Sequence, residues 1–337
     1  MSRRILILYT GGTIGMLPSA EGYVPMPGFH DRLLQQLDSR ATAQLPDYDL
    51  LEFDDLIDSA NLVPDDWRRI GRCLAKHWQR YDGFVILHGT DTLAYTASAL
   101  SFMLQQLDKP VILTGSQIPL AELRNDALDN LITALLLAGN RPIPEVCVLF
   151  NGRLLRGNRS RKVRSDGLDA FDSPNFPWLG RVGIDIELQT SLLLPAGEPK
   201  LEAPVFDPNA VALLPVYPGI PARTLAGILD HSAIRGLILQ TYGVGNPPDA
   251  NRELMDTLAQ ACDRGIAVLN ITQCDRGAVI QGAYATGAAL NRIGVVAGRD
   301  ITPEAAFAKL QVLIARGYEG EALRQALDSS LCGECTT

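Results

Sequence analysis

An alternation of short apolar runs with longer amphipathic segments limits this chain's fold more than any other feature. Near-continuous apolar runs at residues 5–9, 83–88, 110–114 and 146–150 are separated by segments 65–79, 92–104 and 124–138, whose apolar residues recur at helical spacing. A strand apolar on successive residues is buried on both faces, and strands joined through helices pair in parallel. The pattern therefore predicts an α/β fold with a larger, Rossmann-like N-terminal domain built on a mostly parallel sheet. Between 189 and 208 the period is lost, and Pro195, Pro199, Pro204 and Pro208 punctuate a connector. Alternation returns with strands at 211–216, 236–241 and 266–271 and helices at 221–230, 250–263, 303–316 and 320–328. The expected organisation is a domain over 1–188, a linker over 189–210 and a smaller C-terminal α/β domain with its own parallel sheet over 211–337. A chain of 337 residues supports two cores of that size.

Charge and apolar run lengths narrow the partners. With 30 Lys and Arg against 38 Asp and Glu the net charge is −8, which argues against a nucleic acid or an anionic membrane surface. The longest strongly apolar run, 131–138, is far short of the ~18 residues a membrane span requires. After Arg3 and Arg4 the apolar stretch breaks at Gly11-Gly12, whereas a secretory leader needs roughly 7–15 apolar residues and a cleavage site. Six cysteines are too sparse for a disulfide scaffold. These features lead us to expect a soluble, cytoplasmic protein.

In open parallel sheets ligands gather beyond the carboxyl ends of the strands. Three such ends carry glycine beside hydroxyl residues: Thr10-Gly11-Gly12-Thr13-Ile14-Gly15, Gly89-Thr90-Asp91-Thr92 and Gly115-Ser116-Gln117. The glycine loop fits neither G-x-G-x-x-G nor a loop ending in G-K-[ST], and by itself it reads equally well as a turn. Thr13, a hydroxyl directly after two residues without side chains, is what points beyond a turn. Asp91 or Thr92 reads alone as the N-cap of the helix that follows. In the functional alternative that helix terminus holds a carboxylate or an oxyanion, and Asp91 offers its charge to an ammonium group. Arg153, Arg156, Arg159, Arg161, Lys162 and Arg164 precede Asp166, Asp169 and Asp172, the composition of a solvated, self-compensated face. Lys162 is the exception in that run, because a partly buried lysine among like charges loses its proton more readily and becomes a base.

Other routes to chemistry are poor. His30, His77, His88 and His231 show no metal-ligand spacing, and His88 at a strand end suits a structural hydrogen bond. Cys332 and Cys335 form a single C-x-x-C, read as incidental thiols. There is no G-x-S-x-G elbow, so a hydrolase built on this chain must use threonine.

Tyr9-Thr-Gly-Gly-Thr-Ile-Gly15 and His88-Gly-Thr-Asp-Thr-Leu93 resemble the two signatures of the L-asparaginase/glutaminase family. The segments around Asp82, Tyr95 to Leu104, Lys109 to Arg124, Ser173-Pro-Asn, Tyr242-Gly-Val-Gly-Asn246, Thr272-Gln-Cys274 and Tyr284-Ala-Thr-Gly287 resemble its bacterial cytoplasmic type I branch. The resemblance implies hydrolysis of L-asparagine to L-aspartate and ammonia through an acyl-enzyme, with no metal or cofactor. It also implies a homodimer or a dimer of dimers, with sites near the domain junction. Position by position, Thr13 matches the nucleophile, Thr90, Asp91 and Lys162 the activating triad, and Tyr23 the tyrosine that closes over substrate and helps activate Thr13. Ser59, within Asp58-Ser59-Ala60, matches the serine that binds the α-carboxylate; Gly89 and Ser116 complete the expected substrate contacts.

The chemistry suits these roles. A threonine hydroxyl is a weak nucleophile until a neighbour takes its proton, and a neutral Lys162 can draw one through Thr90. Backbone N–H groups at the strand ends are placed to bind an oxyanion, worth about 3–4 kcal/mol per donor in acyl-transfer enzymes. Three positions depart from the branch. Ser160-Arg161 precede Lys162 where relatives tend to show paired threonines, and Gln240 stands where some place an arginine tied to an asparagine effector site. Without that cation, hyperbolic rather than sigmoidal kinetics are expected. The alternatives are a glutaminase-leaning amidohydrolase, the ammonia-releasing subunit of a tRNA-dependent amidotransferase, a nucleotide-binding module and a degenerate binding protein.

Overall fold

The computed structural model describes residues 3–20, 22–25, 28–38, 45–283 and 285–337. Tyr284, in one of the matched segments, and the side chain of His30 lie outside the described residues. The chain forms two compact units, Met1–Ala203 and Pro204–Thr337.

Eight strands make one sheet in the first unit: β1 (Arg4–Gly11), β2 (Asp47–Ile57), β3 (Gly83–Leu87), β4 (Val111–Thr114), β5 (Val146–Phe150), β6 (Arg153–Arg156), β7 (Gly180–Val182) and β8 (Ile186–Leu188). Their order is β8-β7-β6-β5-β4-β3-β1-β2. Pairing is parallel from β2 through β1, β3 and β4 to β5, then antiparallel through β6 and β7 to β8. The switch of sense has a local cause. Asn151 and Gly152 have φ of 46° and 71°, the left-handed pair that closes a two-residue hairpin between β5 and β6.

Burial on both faces explains the apolar runs. Ile5, Ile7 and Tyr9 of β1, Val85 and Leu87 of β3, Ile112 of β4, and Cys147 and Leu149 of β5 share a core with α1 (Phe29–Asp38) and α4 (Ala127–Asn140). The intervening Leu6, Leu8, Phe84, Ile86, Leu113, Val148 and Phe150 are equally buried. They face the other side, where α3 (Leu93–Met103) covers the sheet and is backed by α2 (Pro64–His77). Each such side chain contributes about 1.5–3 kcal/mol on burial.

Three local outcomes differ from the sequence reading. Helix α4 begins at Ala127 rather than at 124, because Asn125 and Asp126 are committed elsewhere. Asn125 accepts from the Ala127 N–H, while Asp126 accepts from the N–H groups of Gln117 and Ile118. Edge strand β2 has no apolar run, since solvent lies along part of it and acidic residues occupy those positions. Within the proline-punctuated connector, Lys200–Leu201 pairs antiparallel with Leu104–Gln105 after α3.

In the second unit β9 (Val211–Pro215), β10 (Gly236–Thr241), β11 (Ala267–Thr272) and β12 (Val296–Ala297) lie side by side in chain order, all parallel. Leu225 and Leu229 of α5 (Ala222–Leu229) and Leu254 and Leu258 of α6 (Arg252–Asp263) pack on Leu237, Leu239 and Val268. Helices α7 (Ala285–Arg292), α8 (Pro303–Ala315) and α9 (Gly320–Asp328) follow. Among the described residues no helix is long and apolar enough to cross a membrane.

The C-terminal segment is locked by a fully buried ion pair. Lys309 Nζ of α8 lies 2.8 Å from Glu334 Oε1 and donates to the Leu327 carbonyl at the end of α9 at 2.9 Å. Burial alone would raise the Glu334 carboxyl, but Lys309 and the N–H groups of Cys332 and Leu331 hold it below its ordinary range. Its stabilisation is therefore complete above that range and is lost as the pH falls through the depressed folded value. Lys309→Met, which strands a buried carboxylate, is expected to cost about 3–5 kcal/mol in a denaturant titration. A loss under about 1 kcal/mol would show that the pair does not hold the segment.

Candidate active site

The strand order reverses direction at β1. The chain steps outward from β1 to β2, then returns across it to β3, β4 and β5. The crevice at the carboxyl ends of β1 and β3 is thus the switch point, where open α/β sheets bind ligands. The loops that meet there are Gly11 to Gly15 and His88 to Thr92.

Glycines let these loops touch backbone to backbone. Gly12 has φ 91° and ψ 175°, and a Cβ there would lie 2.3 Å from the Gly89 nitrogen. A Cβ on Gly89 would lie 2.4 Å from Ser59 Oγ, and one on Gly11 2.4 Å from the Ile57 carbonyl oxygen. The ends of β2, β1 and β3 are thereby drawn into one surface. Thr13 opens a single 3-10 turn, Thr13–Gly15, and is half-buried. The Leu120 N–H fastens that turn through the Ile14 carbonyl at 3.1 Å.

Across the crevice, Lys162 reaches the β3 loop from a two-residue strand, Arg161–Lys162, paired with Phe171–Asp172. Its Nζ lies 2.8 Å from Thr90 Oγ1 and 2.7 Å from Asp91 Oδ1. Neither Asp91 nor Thr92 caps α3 with its side chain: Asp91 meets Lys162, and the Thr92 hydroxyl donates to the Ser59 carbonyl at 2.8 Å. The N-cap reading is thus replaced by a link between the β3 and β2 loops. Asp58 is the residue that caps, accepting from the Ala60 N–H at 3.1 Å and from Asn61 at 3.0 Å, which sets the turn carrying the buried Ser59.

His88 makes two hydrogen bonds, as its strand-end position suggests. Burial pushes its imidazole down to about 4, so the ring is neutral near pH 7. Because a carbonyl only accepts, Nδ1 donates to the Gly89 oxygen at 2.8 Å, which leaves Nε2 to accept from the Thr96 hydroxyl at 2.9 Å. The ring therefore holds the peptide plane that leads into Thr90. Ser116 is fully covered and its Oγ has no hydrogen-bond partner. Its side chain is therefore turned away from solvent, unlike that of Asp91.

Tyr23 stands on the hairpin Met16–Ser19 with Gly22–Pro25, which leaves the Thr13–Gly15 turn directly. The residue is 49% exposed, and its hydroxyl donates to Glu122 Oε1 at 2.7 Å. That carboxylate holds the phenol above its usual range. Nothing in the sequence spacing points to Glu122.

The arginine run divides by burial. Arg153 and Arg164 meet Asp169 at 3.4 and 2.8 Å, as a self-compensated face would. Arg156 and Arg159 instead turn inward. The first bonds buried Glu145 at 2.7 Å, and the second stacks its guanidinium 5.1 Å from the Phe176 ring centre. Lys162 is the cation of this run that bonds Thr90 and Asp91.

Comparison with known proteins gives a consistent result. Residues 4–194 match the family model for the asparaginase N-terminal domain, and 210–327 match that for the glutaminase/asparaginase C-terminal domain. L-asparaginase 1 of Escherichia coli K12 is 47% identical over 334 residues, covering 99% of this chain and 98% of that one. The crystal structure of L-asparaginase I from Vibrio cholerae superposes with a TM-score of 0.91 at 45% identity, covering both chains completely. The thermostable L-asparaginase from Thermococcus kodakarensis gives 0.88 at 34% identity, covering 99% of each. The chain belongs to the asparaginase/glutaminase family of hydrolases, on its type I L-asparaginase branch.

Proposed function

We propose that the chain hydrolyses L-asparagine to L-aspartate and ammonia through an ester on Thr13. The observation that carries this reading is Lys162 Nζ within 2.8 Å of both Thr90 Oγ1 and Asp91, on the loop that Gly12 holds against the nucleophile turn. Thr13 Oγ attacks the carboxamide carbon, the C–N bond breaks, and the amide nitrogen leaves as ammonia after taking up a proton. A water then attacks the ester and frees Thr13. In its neutral form the Lys162 amine takes the proton relayed by Thr90, and Asp91 stabilises the ammonium that results. Asp91 also receives the substrate's α-ammonium, Ser59 its α-carboxylate, and backbone N–H groups of the strand-end loops the oxyanion. The chain acts in the cytoplasm as a homodimer or a dimer of dimers.

Ammonia release by the purified chain tests this directly. Asparagine is expected to turn over faster than glutamine. The asparagine curve is expected to be hyperbolic, because the neutral Gln240 donates to the Thr272 carbonyl and brings no cation to an effector carboxylate. Failure to release ammonia from asparagine overturns the function, whereas a Hill coefficient clearly above one overturns only the reading of Gln240.

A further inference from the structure

We infer that Glu122 positions Tyr23 for reaction, holding its phenol so that the oxygen meets Thr13 as an acceptor. The inference rests on the roles given to Tyr23 and Thr13 above and adds one residue to them.

Tyr23 has little else to hold it. The hairpin that carries it has two short strands, in which Tyr23 lies opposite Pro18, and an isolated two-stranded hairpin is marginal in water. The side chain is half-exposed and absent from the buried core. Its hydroxyl makes a 2.7 Å bond to Glu122, of the short, charge-assisted kind.

Glu122, by contrast, sits on a braced loop. Its N–H donates to the Pro119 carbonyl at 3.0 Å, and its own carbonyl accepts from Asn125 Nδ2 at 2.7 Å. Two residues earlier, the Leu120 N–H holds the Ile14 carbonyl at 3.1 Å. One loop thus grips the chain immediately after Thr13 and again at Tyr23. It sets where the phenol stands relative to the nucleophile.

The direction of the bond matters as much as its position. A carboxylate only accepts, so the phenol's single proton is committed to Glu122. A Thr13 hydroxyl brought to the phenol oxygen then finds only lone pairs there and donates to them, which is the sense that raises its nucleophilicity. The raised phenol pKa agrees with this commitment of the proton.

Steady-state kinetics on asparagine for Glu122→Ala, Glu122→Gln, Tyr23→Phe and the Tyr23→Phe/Glu122→Ala double variant test the inference, with thermal midpoints alongside. Glu122→Ala is expected to lower kcat about 10- to 100-fold, the scale of a misplaced catalytic group, with KM moving less. Glu122→Gln keeps an oxygen acceptor and is expected to recover most of the loss. In the Tyr23→Phe background Glu122→Ala is expected to cost nothing further, since there is no phenol left to position. A Glu122→Ala enzyme near wild type beside an impaired Tyr23→Phe overturns the role of Glu122 alone. So does a double variant whose losses multiply, or a Gln variant as poor as Ala. Full activity of Tyr23→Phe overturns the reading of Tyr23 itself, and this inference with it.

Discussion

Lys162→Met is expected to leave the fold intact while lowering asparagine turnover on the order of 10³- to 10⁴-fold, the range a positioned proton acceptor supplies. The two effects separate because of where the side chain lies. Lys162 is 20% exposed and its partner Asp91 is 60% exposed, so water takes over the carboxylate when the amine is gone. An exposed ion pair is worth no more than about 1 kcal/mol, and methionine keeps the length and most of the apolar stem. The short strand that carries Lys162 stays in register through Arg161 opposite Asp172. Turnover has no such substitute, because Lys162 is the amine bonded to Thr90 among the described residues. Thr13→Ala is expected to fall to a similar level, and Thr13→Ala/Lys162→Met no lower, since groups that serve one proton relay fail together. Ammonia release gives kcat, and circular dichroism with a thermal melt gives the fold. Near-normal turnover by Thr13→Ala would sink the assigned nucleophile. A melt lowered by several kcal/mol in Lys162→Met would mean that the pair is structural.

Much of this arrangement was legible in the sequence, and the parts that were not share a physical reason. Apolar runs report burial on both faces, so β1, β3, β4 and β5 could be read from them, and with them the loops at their ends. Helix α9 was legible to the residue because Gly320 and Asp328 bracket a clean amphipathic period, while α4 was misplaced by polar side chains bonded beyond their own helix. Strand β2 escaped because an edge strand needs no continuous apolar run. The Asn151-Gly152 turn that reverses the sheet was present as a dipeptide and could have been found by its hairpin chemistry. At the site, residue identity marked Lys162 as a candidate base and the family resemblance grouped it with Thr90 and Asp91, yet no spacing predicts the contact between such distant positions. Glu122 at Tyr23 and Glu145 at Arg156 belong to the same class. Such pairings are set by how loops pack after the sheet has formed, and local periodicity carries no record of them.

Gly12→Ala is expected to be the most damaging single methyl group that can be added to the site. Two costs coincide there. The backbone, at φ 91° and ψ 175°, occupies a region essentially reserved for glycine, and holding another residue in it costs about 1–3 kcal/mol. The added carbon would also lie 2.3 Å from the Gly89 nitrogen and 2.4 Å from its Cα, atoms that cannot rotate away. Overpacking of that kind adds about 1–3 kcal/mol, and the relief available is to part the β1 loop from the β3 loop. That movement carries Thr13 away from Thr90, and a displacement near 1 Å is enough to cost about 100-fold in rate. Gly219→Ala separates the two costs. Gly219 has φ +80° with nothing within 4 Å of the new carbon, so it suffers the backbone strain without the collision. It should lose about 1–2 kcal/mol and keep its kcat. Gly12→Ala should lose several kcal/mol by melt and at least about 100-fold in asparagine turnover. If Gly12→Ala instead behaves like Gly219→Ala in both measurements, the two loops are not in the close contact on which the joining of Thr13 to Thr90, Asp91 and Lys162 depends.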